Sequence, residues 1–581
     1  MPVQDDYVRY FVNAYEKSTL PAPPDGKGDD ERSGDDGKAE IDNETQEAVR
    51  LSGREMPSPE QAYRANIATD DKPHTYNEAM KRSDADLWYK AMQDELGMFE
   101  KIGLYEEVER PRDRKVINSK WVFKIKRGPN GEIEKYKARL VAKGFTQIHG
   151  IDYTDTFTPV TKFATIRALL ALATKYNLEI HQMDVKSAFL NGELNEEIFL
   201  EPPPGFRSSR YKVWRLLCAL YGLKQAHKSW YEWLCAVFLA LGFTQCQADH
   251  SVFYKIENGV LIIVAVYVDD KLALSNNRKA IDTLKRQFAH EYDMTDLGEA
   301  HWILGMEIIR DRKKRTIELS QRRYIRSILE RFDMTNGRPV STPIDPNVKL
   351  VKLAEAESDV KEYQSALRAL MYAMLATRPD IAFAVGTLSK HAATPGQEHM
   401  MALKRVYHYL RGTSDAHLVF RGDVKNELLG YVDADWAADI NDRRSVTGYV
   451  FILAGAAISW SSKKQSSVAL SSTEAEYMAA TAATKEAVWL RKLFDELHTV
   501  SSRPTMLLID NQSAMALAKN AMFHDRTKHI AIRHHFIREK LDSGEIAVDH
   551  VPTSDQTADV LTKGLTREKH VRFSVGMGIT F

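Results

Sequence analysis

Apolar positions run without interruption from Val260 to Val268, and a second apolar run begins at Leu272. Two adjacent carboxylates, Asp269 and Asp270, lie between these runs. The pattern predicts a β-hairpin with acidic residues at its tip. Neighbouring aspartates repel each other, and they are costly at the end of a buried strand unless a divalent cation neutralises them. The hairpin therefore indicates half of a metal site.

A third carboxylate interrupts another strand-like run. Asp184 lies within residues 181–190, directly after residues 160–178, whose apolar positions recur at helical spacing. A second long helix is predicted at 222–241, before the acidic hairpin. Three carboxylates can hold two Mg²⁺ ions for phosphoryl transfer, so Asp184 and the hairpin pair together form a candidate site.

The same combination of strands, helices and acids recurs beyond residue 425. Each acid alone is typical of a solvated surface, but several at strand ends and helix starts indicate a second site. Acids two positions apart on a helix do not face the same way, so only one of the two helical glutamates belongs to it. The candidates are Asp433 and Asp435 on a strand over 428–436, Glu474 and Glu476 in a helix over 472–497, Asp510 at the end of a strand over 506–510, and Asp559 at the start of a helical segment over 559–563.

The N-terminal part differs in composition. Residues 21–60 combine Pro, Gly, Asp, Glu and Ser with almost no aromatic or branched apolar residues, so they cannot bury a core. We predict that residues 1–74 form a disordered, acidic linker rich in Pro and Gly. Helical spacing begins near residue 76, and a strand pair follows over 121–142 around a Gly-Pro-Asn-Gly turn.

Length and charge narrow the class of protein. At 581 residues the chain is too long for one core, and we expect three or four units. Lys+Arg and Asp+Glu both number 80, so the net charge is zero. Between Arg110 and Gln147, however, 12 basic residues outnumber 3 acidic ones, with aromatic residues interleaved. This segment predicts contact with phosphates, or else a solvated strand-and-turn surface.

Cysteine usage and apolar runs indicate the compartment. The three cysteines are too few and too scattered for a disulfide framework or a Cys-rich zinc site, which fits a reducing compartment. The N-terminus has no apolar signal core, and no uninterrupted run of about 18 apolar residues occurs. We therefore expect a soluble intracellular protein without a membrane partner.

Several motifs together resemble the reverse transcriptases of copia-type retrotransposons. Tyr267–Asp270 is similar to the polymerase signature of this family, and Met183–Gly192 is similar to its other acidic motif. The resemblance extends over roughly residues 75–565, which argues against chance similarity. Further matching segments are Trp121–Lys124, Tyr136–Gln147, Leu220–Gln225 and Thr377–Asp380.

The resemblance implies an α+β multidomain fold, with a right-hand polymerase of fingers, palm and thumb followed by a ribonuclease H-like α/β domain. The implied divisions are 75–335 for fingers and palm, 336–424 for thumb or connection, 425–565 for the ribonuclease H-like domain and 566–581 for a C-terminal tail.

The resemblance also implies roles for residues around the first site. Asp184, Asp269 and Asp270 would bind two Mg²⁺ ions, with Mn²⁺ as the alternative metal, during RNA-directed DNA synthesis. Phe189 would exclude a 2′-hydroxyl by its bulk, and simple core packing is its alternative role. The implied nucleotide- or template-binding residues are Lys137, Arg139, Lys143, Phe189 and Gln225.

At the second site, the family pattern selects Glu476 over Glu474, and we choose Asp433 with Asp435 as the runner-up. These acids would bind Mg²⁺ for cleavage of the RNA strand in an RNA–DNA hybrid, and a histidine would assist product release. The implied set is Asp433, Glu476, Asp510, Asp559 and His550.

The resemblance further implies partners and a location. The partners would be an RNA template, a DNA primer, their hybrid, deoxynucleoside triphosphates, and a retrotransposon integrase or capsid protein. The location would be a cytoplasmic virus-like particle, with the nucleus as the alternative. Protease, integrase and nucleocapsid segments are not recognisable, so we expect a processed product or a fragment.

Two departures from the family pattern leave other functions open. Ala226–Lys228 replaces the usual small or Pro residue, Pro and Arg, and Lys271 follows the acidic pair where an apolar residue is common. A lysine beside two metal-binding aspartates is expected either to pair with them and weaken metal binding or to point into solvent. The alternatives are a decayed or domesticated copy that binds nucleic acid without catalysis, and a structural scaffold.

Overall fold

The computed structural model describes residues 72–127, 132–206, 211–424, 427–499, 503–519 and 531–581, with side chains of the last range from residue 536 onward. The described residues form two compact units, one ending at Ile303 and the other beginning at Leu304. The second unit contains the segments predicted as thumb, connection and ribonuclease H-like domain, together with residues 304–335, which were predicted to belong to fingers and palm. Almost all of the predicted linker, and the turn at 128–131, lie outside the described residues.

The first unit combines five helices and thirteen strands within its described residues. The helices are α1 (Tyr76–Ala79), α2 (Ala85–Ile102), α3 (Phe163–Tyr176), α4 (Ala226–Ala240) and α5 (Arg278–Glu291). The strands are β1 (Tyr105–Glu109), β2 (Val116–Ile117), β3 (Ser119–Arg127), β4 (Ile133–Ala142), β5 (Glu179–Val185), β6 (Glu193–Leu200), β7 (Lys212–Cys218), β8 (Thr244–Gln245), β9 (Val252–Glu257), β10 (Val260–Tyr267), β11 (Asp270–Ser275), β12 (Met294–Glu299) and β13 (Trp302–Ile303).

Six antiparallel strands build the central sheet of this unit, in the order β12-β5-β11-β10-β9-β8. The predicted acidic hairpin consists of β10 and β11, and β11 pairs on its other side with β5. β10 is apolar at successive positions because it lies inside the sheet, and its last five residues are all buried. A buried interior strand thus delivers the acids to the end of the sheet.

The predicted helix over 160–178 is observed as α3. All of its residues from Thr165 to Thr174 are buried. A helix that is buried on every side belongs in a core rather than at a surface. Asn177 ends it in the left-handed conformation, with φ of 53°, which is typical of a helix C-terminus.

β3 and β4 form a separate two-stranded hairpin that packs on α2. The Trp88 ring centroid lies 5.1 Å from that of Phe123 and 4.6 Å from that of Tyr136. Trp121 and Phe123 are buried, whereas Phe145 is 79% exposed. Most aromatic residues of the basic segment therefore pack in the core, and its basic residues provide the charge at the surface.

The second unit is richer in helix than the first. Its helices are α6 (Arg322–Arg331), α7 (Val360–Ala376), α8 (Ala382–Ser389), α9 (Gln397–Gly412), α10 (Ser472–Glu496), α11 (Gln512–Lys519), α12 (Ala531–Asp542) and α13 (Arg567–Gly576). Its strands are β14 (Met306–Asp311), β15 (Thr316–Ser320), β16 (His417–Arg421), β17 (Leu429–Asp435), β18 (Val446–Leu453), β19 (Ala456–Lys464), β20 (Thr505–Ile509), β21 (Ile546–His550) and β22 (Ile579–Thr580). Within the described ranges of both units, no helix is long and apolar enough to cross a membrane.

Two sheets organise the second unit. One pairs β14, β15, β16 and β22 in that order, all antiparallel. The other has the order β19-β18-β17-β20-β21, with antiparallel pairing among the first three strands and parallel pairing among the last three. Parallel strands require crossover connections, and α10 packs against β17 and β18. This mixed sheet is the predicted ribonuclease H-like α/β domain.

A buried ion pair links three helical segments of the second unit. Arg378 is fully buried and bonds both carboxylate oxygens of Asp380, at 2.9 and 2.7 Å. The Tyr409 hydroxyl donates to Asp380 Oδ2 at 2.6 Å, and His570 Nε2 lies 3.1 Å from the Asp380 carbonyl oxygen. Removing one member of such a pair leaves a buried charge unpaired, which costs about 3–5 kcal/mol. The Thr377–Asp380 motif is therefore structural.

The segment predicted as a C-terminal tail, 566–581, is folded into the second unit. His570 and Phe573 of α13 are buried, and β22 pairs with the edge of β16 through Leu418 and Ile579. Met577, between α13 and β22, is also fully buried.

Candidate active sites

Two strands of the central sheet bring together the acids of the polymerase-type motif. Asp184 lies near the end of β5, directly opposite Asp270, the first residue of β11. Asp269 lies in the adjoining turn, and its carbonyl oxygen accepts the Val185 N–H at 3.2 Å. All three aspartates are partly exposed, although the Oδ1 atom of Asp269 is buried.

The turn that carries Asp269 has a strained backbone. Val268 has a φ of 56°, whereas Asp269 has no positive φ. A positive φ at the first central residue only is typical of a type II′ turn, which favours glycine there. A β-branched residue in this region costs about 1–3 kcal/mol and persists only where its surroundings hold it. The Trp230 indole N–H donates to the Val268 carbonyl oxygen at 3.0 Å, a contact that the sequence motifs do not identify.

Both expectations for Lys271, pairing with the aspartates or exposure to solvent, are wrong. Its side chain is fully buried, and Nζ lies 5.1 Å from the ring centroids of Trp230 and of Tyr292. Side chains alternate across a strand, so Lys271 leaves β11 on the face opposite to Asp270. Burial lowers the pKa of Lys271 to about 7, although Asp269 and the other two aspartates oppose this shift. The lysine therefore lies beneath the acidic turn, among aromatic rings.

Phe189 lies in a short 3₁₀ helix, Ala188–Asn191, directly after the Asp184 strand. Its ring centroid lies 5.3 Å from that of Tyr221, edge-on, and 4.4 Å from that of His227. The ring is 9% exposed, so it packs in the core while part of it remains accessible. Its predicted steric role and its alternative packing role are therefore compatible. His227, one of the departures from the family pattern, serves as a packing partner of Phe189.

The three predicted basic residues lie along or just after β4. The Arg139 guanidinium lies 4.8 Å above the centroid of the Tyr221 ring. Burial, helped by the neighbouring Arg139 charge, lowers the pKa of Lys137 to about 8, and the field of Asp184 is among those that oppose the shift. Lys143 follows β4 and is half-buried. Lys137 is thus within electrostatic reach of the polymerase-type acids.

Glu95 on α2 is a further charged residue of this region, and the sequence motifs do not identify it. Burial raises the pKa of Glu95 to about 7, against the opposing charges of Arg139 and Lys137. One glutamate on an amphipathic helix gives no signal of such a position, because the position arises only when α2 packs on β4.

Gln225, the predicted nucleotide-side residue, is buried at the start of α4. Its Nε2 donates to the Asp152 carbonyl oxygen at 2.9 Å, and its Oε1 accepts from Gln147 Nε2 at 3.1 Å. These bonds hold the start of α4 against the segment after β4. The role of Gln225 toward a nucleotide stays a prediction.

Three acids of the second unit converge where parallel strands end. Asp433 on β17, Glu476 on α10 and Asp510 after β20 offer carboxylate oxygens that all lie within 4.8 Å of one another. Glu476 Oε2 is buried without a hydrogen-bond partner among the described residues. Burial, with Asp433 and Asp510 close by, raises the pKa of Glu476 to about 9. Crowded carboxylates with an unused buried oxygen fit a divalent cation.

The fourth predicted acid is paired with a lysine that the sequence motifs do not identify. Asp559 lies in the 3₁₀ helix Thr557–Leu561, not in an α-helix. Lys563 Nζ lies 3.0 Å from Asp559 Oδ1 and 3.4 Å from Asp433 Oδ2, and the Thr562 hydroxyl also donates to Asp433 Oδ2. Burial and the Asp433 charge raise the pKa of Asp559 to about 7, with Lys563 opposing. An ammonium group therefore bridges two acids of this cluster.

The two alternative acids lie in different places. Glu474 Oε2 accepts the Leu470 N–H at 2.7 Å, so Glu474 belongs to the start of α10 while Glu476 reaches the cluster. Asp435 lies two residues beyond Asp433 and therefore on the same face of β17. Burial, with Asp433 contributing, raises the pKa of Asp435. Asp433 is the member of the converging trio.

His550 ends β21 and is exposed. In the parallel pairing of β20 with β21 it lies opposite Ile509, the residue before Asp510. The structure thus brings His550 to the same end of the sheet as the acids, where its predicted role in product release stays a prediction.

The antiparallel sheet with paired aspartates, followed by a mixed sheet with a buried acid cluster, has the predicted fold of a right-hand polymerase with a ribonuclease H-like domain. Residues 72–346 match the family described as reverse transcriptase (RNA-dependent DNA polymerase). The chain is 43% identical over 533 residues to the retrovirus-related Pol polyprotein from transposon TNT 1-94 of Nicotiana tabacum, covering 90% of this chain and 40% of that protein. This chain belongs to the reverse transcriptase family of copia-type retrotransposon Pol polyproteins, as its motifs predict.

Two further comparisons cover different shares of this chain. The putative transposon Ty5-1 protein of Saccharomyces cerevisiae is 33% identical over 308 residues, which are 52% of this chain and 100% of that protein. A solved foamy viral protease-reverse transcriptase in complex with double-stranded DNA has a TM-score of 0.43 and 12% identity, covering 95% of this chain and 82% of that one. The chain spans 40% of the length of the tobacco relative.

Proposed function

We propose that this chain synthesises DNA on an RNA template and cleaves the RNA strand of the resulting hybrid, with Mg²⁺ at both sites and Mn²⁺ as the alternative metal. The observation that supports the polymerase activity best is the cross-strand pairing of Asp184 with Asp270 beside the turn that carries Asp269. The converging trio at the second site supports the ribonuclease activity.

At the first site, Asp184, Asp269 and Asp270 would hold the metal ions. When bound at either site, such ions neutralise charge on the attacking and leaving oxygens of a phosphoryl transfer. Lys137, on β4, would compensate phosphate charge on an incoming deoxynucleoside triphosphate. The Phe189 ring would discriminate against a ribose by its bulk.

At the second site, Asp433, Glu476 and Asp510 would hold metal, and Asp559 would complete the set when Lys563 leaves it. Glu476 contributes an oxygen that has no protein hydrogen bond. His550, at the exposed end of β21, would assist release of the cleaved RNA. Recognition of the 2′-hydroxyl would restrict cleavage to RNA.

The proposed substrates and partners follow from family membership. They are an RNA template, a DNA primer, their hybrid and deoxynucleoside triphosphates, with a retrotransposon integrase or capsid protein as a protein partner. A cytoplasmic virus-like particle, or the nucleus, is the proposed location.

A primer-extension assay on an RNA template tests the proposal, first with Mg²⁺ and then with Mn²⁺. The primer and the template carry different labels, so that DNA extension and RNA fragmentation are scored in one reaction. We expect both activities, with extension lost in Asp184→Asn. Binding of the primer-template without extension in either metal would identify a decayed copy, and no binding would identify a scaffold.

A further inference from the structure

The acidic turn is held from two sides by hydrogen bonds to its backbone. The carbonyl oxygen of Asp269 accepts the Val185 N–H, which ties the turn to β5. The carbonyl oxygen of Val268 accepts the Trp230 indole N–H, which ties the turn to α4. Val268 O belongs to the peptide group between the two central residues of the turn, so the indole restrains the peptide that orients Asp269.

Trp230 itself has little freedom to move. Its side chain is almost fully buried, with the Lys271 ammonium 5.1 Å from its ring centroid and the Trp233 ring stacked at 5.4 Å. Its backbone is close-packed as well, because a Cβ added to Gly192 would lie 2.6 Å from the Trp230 nitrogen. A donor that is fixed on a packed helix can restrain a strained turn, whereas a flexible one cannot.

We propose that Trp230 is a positioning residue for polymerisation: its indole N–H holds the Val268 carbonyl and so keeps Asp269 beside Asp184 and Asp270. The inference rests on the proposed polymerase function. Lys271 supports the same arrangement from below, by filling the space against the indole and the Tyr292 ring.

Trp230→Phe in the full chain is the direct test, since phenylalanine keeps an aromatic ring but removes the donor. A misplaced metal ligand is expected to lower kcat by about 10- to 100-fold, while KM for the nucleotide stays near its original value. Trp233→Phe is the matched control, because Trp233 lies on the same helix and stacks on Trp230. We expect Trp233→Phe to keep normal kcat and to show a comparable change in Tm.

Val268→Gly, combined with Trp230→Phe, is a second test of the inference. Glycine adopts a positive φ without strain, so the turn should keep its conformation even without the hydrogen bond from the Trp230 indole. We expect Val268→Gly to restore much of the kcat lost in Trp230→Phe. Equal kcat losses in Trp230→Phe and Trp233→Phe, or no restoration by Val268→Gly in a folded double variant, would overturn the inference.

Binding of Mn²⁺, followed by electron paramagnetic resonance in an Asp510→Asn background, separates this inference from the proposed function. Trp230→Phe should weaken Mn²⁺ binding at the first site severalfold. A chain that extends no primer but still shows this weakening would contradict the polymerase proposal and support the positioning role. Unchanged Mn²⁺ affinity would contradict the positioning role.

Discussion

Asp184, Asp269 and Asp270 are partly exposed at the end of a sheet, whereas Asp433 and Glu476 are buried in the second unit. The two clusters also differ in the contacts that surround them. In the first, the turn that carries Asp269 is held by hydrogen bonds to its backbone. The second places a protein ammonium group among its acids. One chain thus contains an open acid cluster and a neutralised one.

Two lysines that follow the acids in the sequence show how local geometry produces this difference. Lys271 follows Asp270 directly, and strand alternation turns it away from the acids into the aromatic rings. Lys563 follows Asp559 by four positions, and the helical turn between them brings the two side chains to 3.0 Å. On a strand, a lysine that directly follows an acid points to the opposite face. On a helical turn, a lysine four positions after an acid lies beside it.

The largest expected effect is the loss of one activity without the other when a single cluster is changed. Asp269→Asn should lower primer extension at least about 10³-fold and leave RNA cleavage in a preformed hybrid, and Asp510→Asn should do the reverse, because each removes a ligand from a separate unit. Both activities are measured on a hybrid labelled on both strands. Loss of both activities in a folded Asp510→Asn protein would show that the second unit only supports the polymerase.

The neutralising role of Lys563 predicts a smaller effect, on stability. Lys563→Met in metal-free buffer should lower the free energy of unfolding by about 2 kcal/mol, because it leaves buried carboxylates uncompensated and the lysine is partly solvated. Added Mg²⁺ should stabilise the variant more than the parent chain. Urea denaturation followed by circular dichroism, with and without Mg²⁺, measures both quantities. Lys569→Met, which changes an exposed lysine near the same segment, is the control, and equal effects of the two changes would contradict the role.

Accessibility of the first cluster to the sugar of a nucleotide can be tested at Phe189. Phe189→Ala should raise the ratio of ribonucleotide to deoxyribonucleotide incorporation by about tenfold, since the ring is expected to collide with a 2′-hydroxyl. Phe253→Ala removes a fully buried ring from the same unit and should lower stability without changing that ratio. An unchanged ratio in Phe189→Ala would assign Phe189 to core packing alone.

The smallest expected effect is on stability and concerns a buried carboxylate of the first unit, Glu95. The pKa of Glu95 is raised to about 7 in the folded state, so its ionisation is penalised there and stability falls as the pH rises from about 4.5 through 7. Glu95→Gln should therefore match the parent chain at pH 4 and exceed it by about 1–2 kcal/mol at pH 8. Denaturant unfolding at both pH values measures the difference. Glu100→Gln, on the exposed side of the same helix, should show no such pH dependence.

Local patterns in the sequence predict the elements that carry the sites. The apolar run before Asp269 predicts the hairpin, which is observed as β10 and β11. Helix α3 also matches its predicted range closely. These successes depend on alternation or helical spacing within one element, which a single segment of sequence contains.

Contacts between distant segments account for what the sequence does not predict. Trp230 donates to a residue 38 positions away, and Thr562 to one 129 positions away. Neither pairing has a local signature. The Thr377–Asp380 motif is recognisable in the sequence, yet its structural role appears only when Tyr409 and His570 pack against it.

The folded C-terminal segment has a consequence for the order in which the chain can fold during synthesis. His570 is translated 190 residues after Asp380, whose carbonyl oxygen it approaches. Strand β16 likewise cannot pair with β22 until β22 has been synthesised. An unpaired strand edge can associate with other chains. The first unit has all of its residues once Ile303 is made, and domains generally fold as units from the N-terminal side. We expect the nascent chain to carry a folded first unit while the second still exposes an unfinished sheet until residues 567–580 leave the ribosome.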